Sequence, residues 1–334
     1  ILIVKIKFSF FCFLFLFLVK AQDNFVSFDG FTQGTTYHIA YYDDKQRDFQ
    51  DDIEMILKNF DNSVSTYNPN SIITKVNKNI PVELDKYFKT CFKKAKEVWK
   101  NTNGAFDPTV YSLVNAYGFG PGRKMKIEKK VIDSILQFTG FEKIKLRGNR
   151  IVKKDPRVGL DFNAFAQGYS VDVVSDFLNS KGINSYIVEI GGEVYAHGKK
   201  PDGSFWNIGI EKPIENKISE NPLKATANLY NTAIATSGNY RRFTEIDGVK
   251  YTHHIDPKTG YPTKNNLLSA SLFAKDCITT DANATGVLVL GLEKAKIFLK
   301  NHPEIQAYLI YSDENGNYKI YETDGIKDFI TEVD

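Results

Sequence analysis

Cysteine is nearly absent from this chain: Cys12 lies in an apolar run, and only Cys91 and Cys277 occur elsewhere. With no CxxC pair and no Cys/His cluster, a structural zinc site is not expected. Cys91 and Cys277 leave two readings open, one disulfide or two buried free thiols. Strong charge of one sign is also missing, with 43 Lys and Arg against 40 Asp and Glu. Removing residues 1–21 takes away Lys5, Lys7 and Lys20 and no acid, which leaves a formal charge of zero. A nucleic-acid binder needs a basic footprint, so that class is set aside. The apolar run Phe8–Val19 is too short for a comfortable membrane span. With Lys5 and Lys7 before it and the small Ala21 after it, residues 1–21 read as a secretory signal peptide, with an uncleaved anchor as the alternative. Internal repeats and low-complexity tracts are lacking. Gly118-x-Gly120-x-Gly122 has neither the spacing nor the preceding strand of a dinucleotide fingerprint. Lys258-Thr259-Gly260 stands without the SxxK and SDN partners of a β-lactamase.

What remains, residues 22–334, is long enough for one large domain or two modest lobes. Short aromatic strands open it, and Gly34 falls inside what reads as a strand, marking a bulge or a close approach. Apolar spacing predicts a helix over 43–60, with Phe49, Ile53, Ile56, Leu57 and Phe60 on one face. A second helix follows through Leu84, Phe88, Cys91, Ala95 and Val98. Tyr67 sits in a polar loop between them. Asp107, held extended by Pro108 after a Gly104 turn, is a ligand candidate or an ordinary turn opener. Residues 115–130 read as a flexible flap.

The stretch Gly159–Asp172 leads into a helix ending near Gly182, with Asp161 and Asn163 placed to cap it or to meet an anion. Strands are expected at 185–190, 193–196, 205–211, 229–236, 268–274, 307–311 and 318–323. In Tyr251–Pro262, strand alternation would let at most one of His253 and His254 enter a given site. A further helix runs to Leu290 from about Thr279, and a last one spans 293–301. Asp281 and Thr285, four residues apart, share a face, and two oxygens at that spacing suit a hard cation such as Mg²⁺. A capped helix with a threonine in its second turn accounts for them as well.

The motifs QGT, the loop ending in Tyr67, NGAFDP, LDFNAFAQGYSVD, EIGGEV, IGIEKP, ATSGNYRRF, HHIDPKTGYP and TTDANATG occur in one order across residues 33–286. In this the chain resembles the ApbE family of flavin transferases over nearly all of residues 22–334. The resemblance implies an α+β, T-fold-related architecture, with mixed sheets, flanking helices and an active site between two lobes. It also implies a Mg²⁺-dependent enzyme that takes FAD as substrate. Such an enzyme attaches FMN through a phosphoester to a Thr or Ser hydroxyl of a target protein and releases AMP.

By the same resemblance Gln33, Tyr67, Ala105, Phe106, Asp107, Asp161 and Gln167 contact FAD. The Ala164 carbonyl, Asp281 and Thr285 hold Mg²⁺. His253 is the candidate base, with Asp161 as the second catalytic candidate. The sequence departs from the family pattern at Gln33, where Met is common, at Asn163-Ala164, where a glycine pair is common, and at Gln167, where Lys is common. The implied partners are FAD and acceptor subunits of Nqr- or Rnf-type redox complexes, on the periplasmic side of the inner membrane. Membrane contact would come only through those targets or an uncleaved N-terminus. FAD hydrolysis to FMN and AMP, and flavin binding without turnover, are the alternatives.

Overall fold

The computed structural model describes residues 24–213, 223–239, 243–246 and 249–333. The candidate leader, residues 1–21, and most of the 213–224 loop lie outside them. The chain opens with β1 (Phe25–Thr32) and β2 (Thr35–Tyr42), then α1 (Gln50–Val64), α2 (Ile72–Asn77) and α3 (Lys86–Asn101). A short 3-10 turn leads into α4 (Tyr111–Tyr117), α5 (Lys129–Leu136), the hairpin β3 (Ile144–Arg147) and β4 (Arg150–Lys153), and α6 (Ala166–Ser180). Next come β5 (Tyr186–Ile190), β6 (Glu193–His197), β7 (Trp206–Glu211), β8 (Leu223–Leu229) and β9 (Thr232–Gly238). β10 (Phe243–Ile246), β11 (Val249–Thr252), β12 (Leu267–Ala274), α7 (Cys277–Leu290) and α8 (Leu292–Asn301) follow. β13 (Gln306–Ser312), β14 (Tyr318–Glu322) and β15 (Ile330–Glu332) close the chain.

An eight-stranded sheet in the order β1-β2-β5-β6-β9-β12-β13-β14 forms the middle layer. Alternation along its strands feeds both faces. On β2, Tyr37, Ile39 and Tyr41 join Phe49, Ile53 and Leu57 of the α1 region and Val171, Val174 and Leu178 of α6 in one core. Ala40, between them, belongs to a second core with Trp206, Ile210 and Leu229. That second core lies against the three-stranded sheet β15-β8-β7. Farther along the sheet, α7 and α8 cover β12 and β13 through Leu272, Val287, Phe298 and Leu309. The α+β class therefore holds. Every strand pairing among the described residues is antiparallel, however, in place of the mixed pairing expected. Two-residue turns at Gln33-Gly34 and Gly191-Gly192, all with positive φ, fold consecutive strands straight back on each other.

The same turn chemistry corrects one expectation: Gly34 is the second residue of the β1–β2 turn and not a bulge within a strand. Leu229 ends β8, and Tyr230-Asn231 carries the chain into β9 of the other sheet, so 229–236 is not one strand. The first helix starts later than its apolar spacing suggests, because Arg47 folds back onto the Asp43 carboxylate through its backbone N–H, Nε and Nη2. In α3 the expected face is buried, and Asp85 caps it by accepting the Phe88 N–H. Cys91 and Cys277 are both buried free thiols. No helix among the described residues is long and apolar enough to cross a membrane.

Candidate active site at the α6–α7 junction

Phe162 and Phe165 fix the turn that precedes α6. Both are fully buried, with their rings 5.5 Å apart, and they contact Phe88 and Phe106 edge-on. This anchoring leaves Asn163 exposed and Ala164 half-buried between the two rings. The expected capping role of Asp161 and Asn163 does not hold. Asp161 accepts the Asn163 N–H at 2.8 Å, and the Asn163 amide reaches across to Thr66 Oγ1 at 3.0 Å. Residue Phe165 stands at the N-cap and offers no side-chain hydrogen bond.

The carboxylate that does meet the start of α6 comes from α7: the Gly168 N–H donates to Asp281 Oδ2 at 2.9 Å. Asp281 is buried, and that burial pushes its carboxyl up to about 7, opposed by the Gly168 N–H and not by a basic side chain. One turn farther along α7, Thr285 Oγ1 donates to the Ala164 carbonyl at 3.4 Å and lies 3.4 Å from Ser237 Oγ on β9. The shared face expected for Asp281 and Thr285 is thus turned toward α6 and the Ala164 carbonyl. A carbonyl, a hydroxyl and a buried carboxylate make an all-oxygen donor set, which suits Mg²⁺. Only one of the three is acidic. Accordingly, no cluster of three or more His, Cys, Asp or Glu marks a metal site among the described residues. Mg²⁺ takes few carboxylates and completes its shell with phosphate oxygens and water, so this set still fits.

The remaining candidates gather in three groups around this junction. Gln33, in the β1–β2 turn, lies 3.4 Å from Ser170 Oγ through its Oε1, and Ser170 in turn donates to the Gln167 carbonyl. The Gln167 amide and Thr35 both press on Gly191, where an added Cβ would sit 3.1 Å and 3.0 Å from them. Phe106 packs beneath α7 at Gly286, with Thr102 beside it and the buried Ala105 next to it in the chain, and the Asp161 N–H donates to the Pro108 carbonyl. Asp107 is a tie between segments: Oδ1 accepts from the Thr109 N–H and hydroxyl, and Oδ2 accepts from the Phe141 N–H. Burial raises the carboxyls of both Asp107 and Asp161 to about 6.

The third group joins Tyr67 to His253. Tyr67 donates its hydroxyl to the Phe119 carbonyl at 3.0 Å, and the Phe119 ring meets the His253 ring edge-on at 6.2 Å. His253 and His254 follow the end of β11, so strand alternation does not separate them and their rings lie 3.9 Å apart. His254 is the buried one, held neutral by burial and by His253 beside it. The expected flap at 115–130 is partly helix, since α4 runs to Tyr117. Its loop is pinned by the Asn115 side chain on the Gly122 N–H and by the Met125 N–H on the Ala116 carbonyl. Two open clefts flank these groups, about 600 Å³ beside Asp256–Asn265 and about 520 Å³ beside Trp99, Gly104, Asp107 and Lys258. Neither is lined by Ala164, Asp281 or Thr285.

The profile of the ApbE family matches residues 33–309. The chain belongs to the ApbE family. It is 34% identical over 315 residues to the FAD:protein FMN transferase of Vibrio cholerae, covering 92% of this chain and 93% of that one. It is 37% identical over 309 residues to the protein of the same name from Haemophilus influenzae, covering 87% and 88%. Among solved structures, the flavin transferase ApbE from Vibrio cholerae superposes with a TM-score of 0.81 at 34% identity, over 91% of this chain and 99% of that one. The apo flavinyl transferase ApbE of Pseudomonas stutzeri gives 0.80 at 30% identity, over 92% and 97%. Ser170, Ser237, Phe119 and Asp172 contact the candidate residues or the start of α7 without having been singled out in the sequence. Asp172 and Ser170 lie in the LDFNAFAQGYSVD motif and Ser237 in ATSGNYRRF, whereas Phe119 becomes visible only through its spatial partners.

Proposed function

We propose that this chain is a Mg²⁺-dependent FAD:protein FMN transferase that esterifies a Thr or Ser hydroxyl of a target protein and releases AMP. Family membership supports the flavin-transferase activity. The single observation that carries the finer reading is that Thr285 Oγ1 meets the Ala164 carbonyl while the buried Asp281 carboxylate, one turn back on α7, meets the Gly168 N–H. Those three would hold Mg²⁺, which when bound supplies positive charge against the pyrophosphate of FAD. Gln33, Gln167 and the Ala105–Asp107 segment would seat the flavin nucleotide, and Tyr67 would offer an aromatic surface. His253 would accept the proton of the acceptor hydroxyl. The acceptor oxygen bonds to the FMN phosphorus as the bond from that phosphorus to the bridging oxygen breaks, and AMP leaves with that oxygen. Asp161, buried and held by the Asn163 N–H, would orient FAD at the same turn.

The acceptor is assigned to Nqr- or Rnf-type redox subunits, and the workplace to the periplasmic side of the inner membrane, as residues 1–21 suggest. The test mixes the protein, FAD, MgCl₂ and a target fragment bearing the acceptor threonine. A mass gain of one FMN on the fragment, lost with EDTA, is expected. Release of AMP and FMN with no adduct would overturn transfer in favour of hydrolysis.

A further inference from the structure

Helices α6 and α7 run antiparallel, and they meet in three rungs whose steps match. Ala164 faces Thr285, Gly168 faces Asp281, and Asp172 faces Cys277. Four residues forward on the α6 side accompany four residues back on α7 at each step, about one helical turn of 5.4 Å. The first two rungs are the candidate metal donors and the amide that anchors one of them. The third is made by Asp172, whose Oδ1 accepts the Cys277 N–H at 2.7 Å and whose Oδ2 accepts the Ile278 N–H at 2.8 Å.

These two amides are among the donors that a helix leaves unpaired at its start. The next, on Thr279, is taken by the N-cap Asp276 at 3.0 Å. A carboxylate that grips two successive amides fixes both the height and the rotation of α7 against α6. Capping by a residue within α7 itself, as Asp276 does, fixes neither. The rungs also sit at a place with no slack: an added Cβ at Gly168 would lie 2.5 Å from the Cys277 carbonyl oxygen and 2.7 Å from Asp281 Cβ. Sliding or turning α7 would therefore move Asp281 and Thr285 relative to Ala164 together.

We propose that Asp172 is a positioning residue for the metal site: it sets the register of α7 on α6 and thereby the spacing of Asp281 and Thr285 from the Ala164 carbonyl. The proposal rests on the Mg²⁺ reading given above for those three donors. Asp172 touches neither metal nor substrate in this scheme. Its effect reaches the site through one turn of each helix, in the way that outer partners of metal ligands tune affinity.

The test is Asp172→Asn in the full chain, an isosteric change that leaves one acceptor and turns an N–H₂ toward the second amide. MgCl₂ titrated calorimetrically in the presence of FAD is expected to bind about tenfold more weakly than to the wild type. Ile210→Val, a buried change in the core against the three-stranded sheet, which holds no residue of α6 or α7, serves as the control for general loosening and is expected to keep wild-type affinity. Hydrogen exchange without metal provides the second readout: in Asp172→Asn the Gly168 amide, one rung away, should exchange faster, while amides of β12 do not. An unchanged Mg²⁺ affinity in a folded Asp172→Asn protein, or unchanged Gly168 exchange, overturns the positioning role. Absence of Mg²⁺ binding by the wild type overturns the metal reading instead, and the exchange arm still decides whether Asp172 sets the register.

Discussion

Replacing Gly168 by alanine adds one methyl group at the tightest point between α6 and α7. The new carbon would lie 2.5 Å from the Cys277 carbonyl oxygen, 2.7 Å from Asp281 Cβ and 3.0 Å from Asp281 Oδ2. Ordinary contact requires roughly 3.5 Å, so α7 must retreat by about 1 Å at that rung. Backbone oxygen cannot rotate out of the way as a flexible side chain can. Overpacking of this kind costs about 1–3 kcal/mol. The retreat also stretches the Gly168 N–H bond to Asp281, a bond worth roughly 0.5–1.5 kcal/mol. Against this, alanine favours the helix over glycine by about 1 kcal/mol. The balance is a net loss of about 2 kcal/mol, read as a lowered urea midpoint with an unchanged slope by far-UV circular dichroism. Mg²⁺-dependent AMP release from FAD should fall with it, because Asp281 has moved from the Ala164 carbonyl. A Gly168→Ala protein as stable as the wild type, with full activity, would mean that helix propensity prevails and that the close approach of these helices is unimportant.

Four further outcomes are expected. Asp281→Ala should abolish AMP release even at saturating Mg²⁺, and His253→Ala should spare FAD binding while slowing transfer; full activity in either removes that residue from its assigned role. His254 is buried and held neutral, so the folded state resists a proton that the unfolded chain takes up below about pH 6.5. Stability is intact above that pH and is lost as pH falls below it, with a slope approaching roughly 1.4 kcal/mol per pH unit for one proton. His254→Gln should flatten the urea midpoint between pH 6.5 and 5, and an unchanged slope refutes the assignment. Asp43, held by Arg47, has its carboxyl lowered to about 2, so its contribution is present above pH 3.8 and fades as pH falls toward 2. Because Arg47 is partly exposed, Asp43→Asn should cost only about 1 kcal/mol at pH 7, measured by urea unfolding, and less near pH 3.

Local pattern disclosed much of the fold. The α3 face, the Gly191-Gly192 turn and the strands of the middle sheet follow from periodicity and from residues that accept positive φ. Local pattern failed where a distant partner decides. Asp161 and Asn163 looked like caps for α6, but the carboxylate at its start is Asp281, 113 residues on from the Gly168 N–H it accepts. Asp107 read as a turn opener or a ligand, and its second oxygen holds the Phe141 N–H, 34 residues on. The pairing of His253 with His254 escaped alternation because β11 ends one residue earlier. The resemblance named Ala164, Asp281 and Thr285 as candidate metal donors, including a carbonyl with no side-chain signal at Ala164. The Asp172 rung could not be read from spacing, since its partners lie 105 and 106 residues away.

That separation has a consequence for how the protein acquires its activity. Between α6 and α7 the chain must lay down β5, β6, β9 and β12, the centre of the large sheet. Contacts of such high sequence separation form late, after loop-closure entropy has been overcome by other pairings. The α6–α7 junction is therefore among the last features to assemble. A chain caught part-way through synthesis, with α6 made and α7 still to come, has neither the Asp281 partner of the Gly168 N–H nor the Asp172 grip on the start of α7.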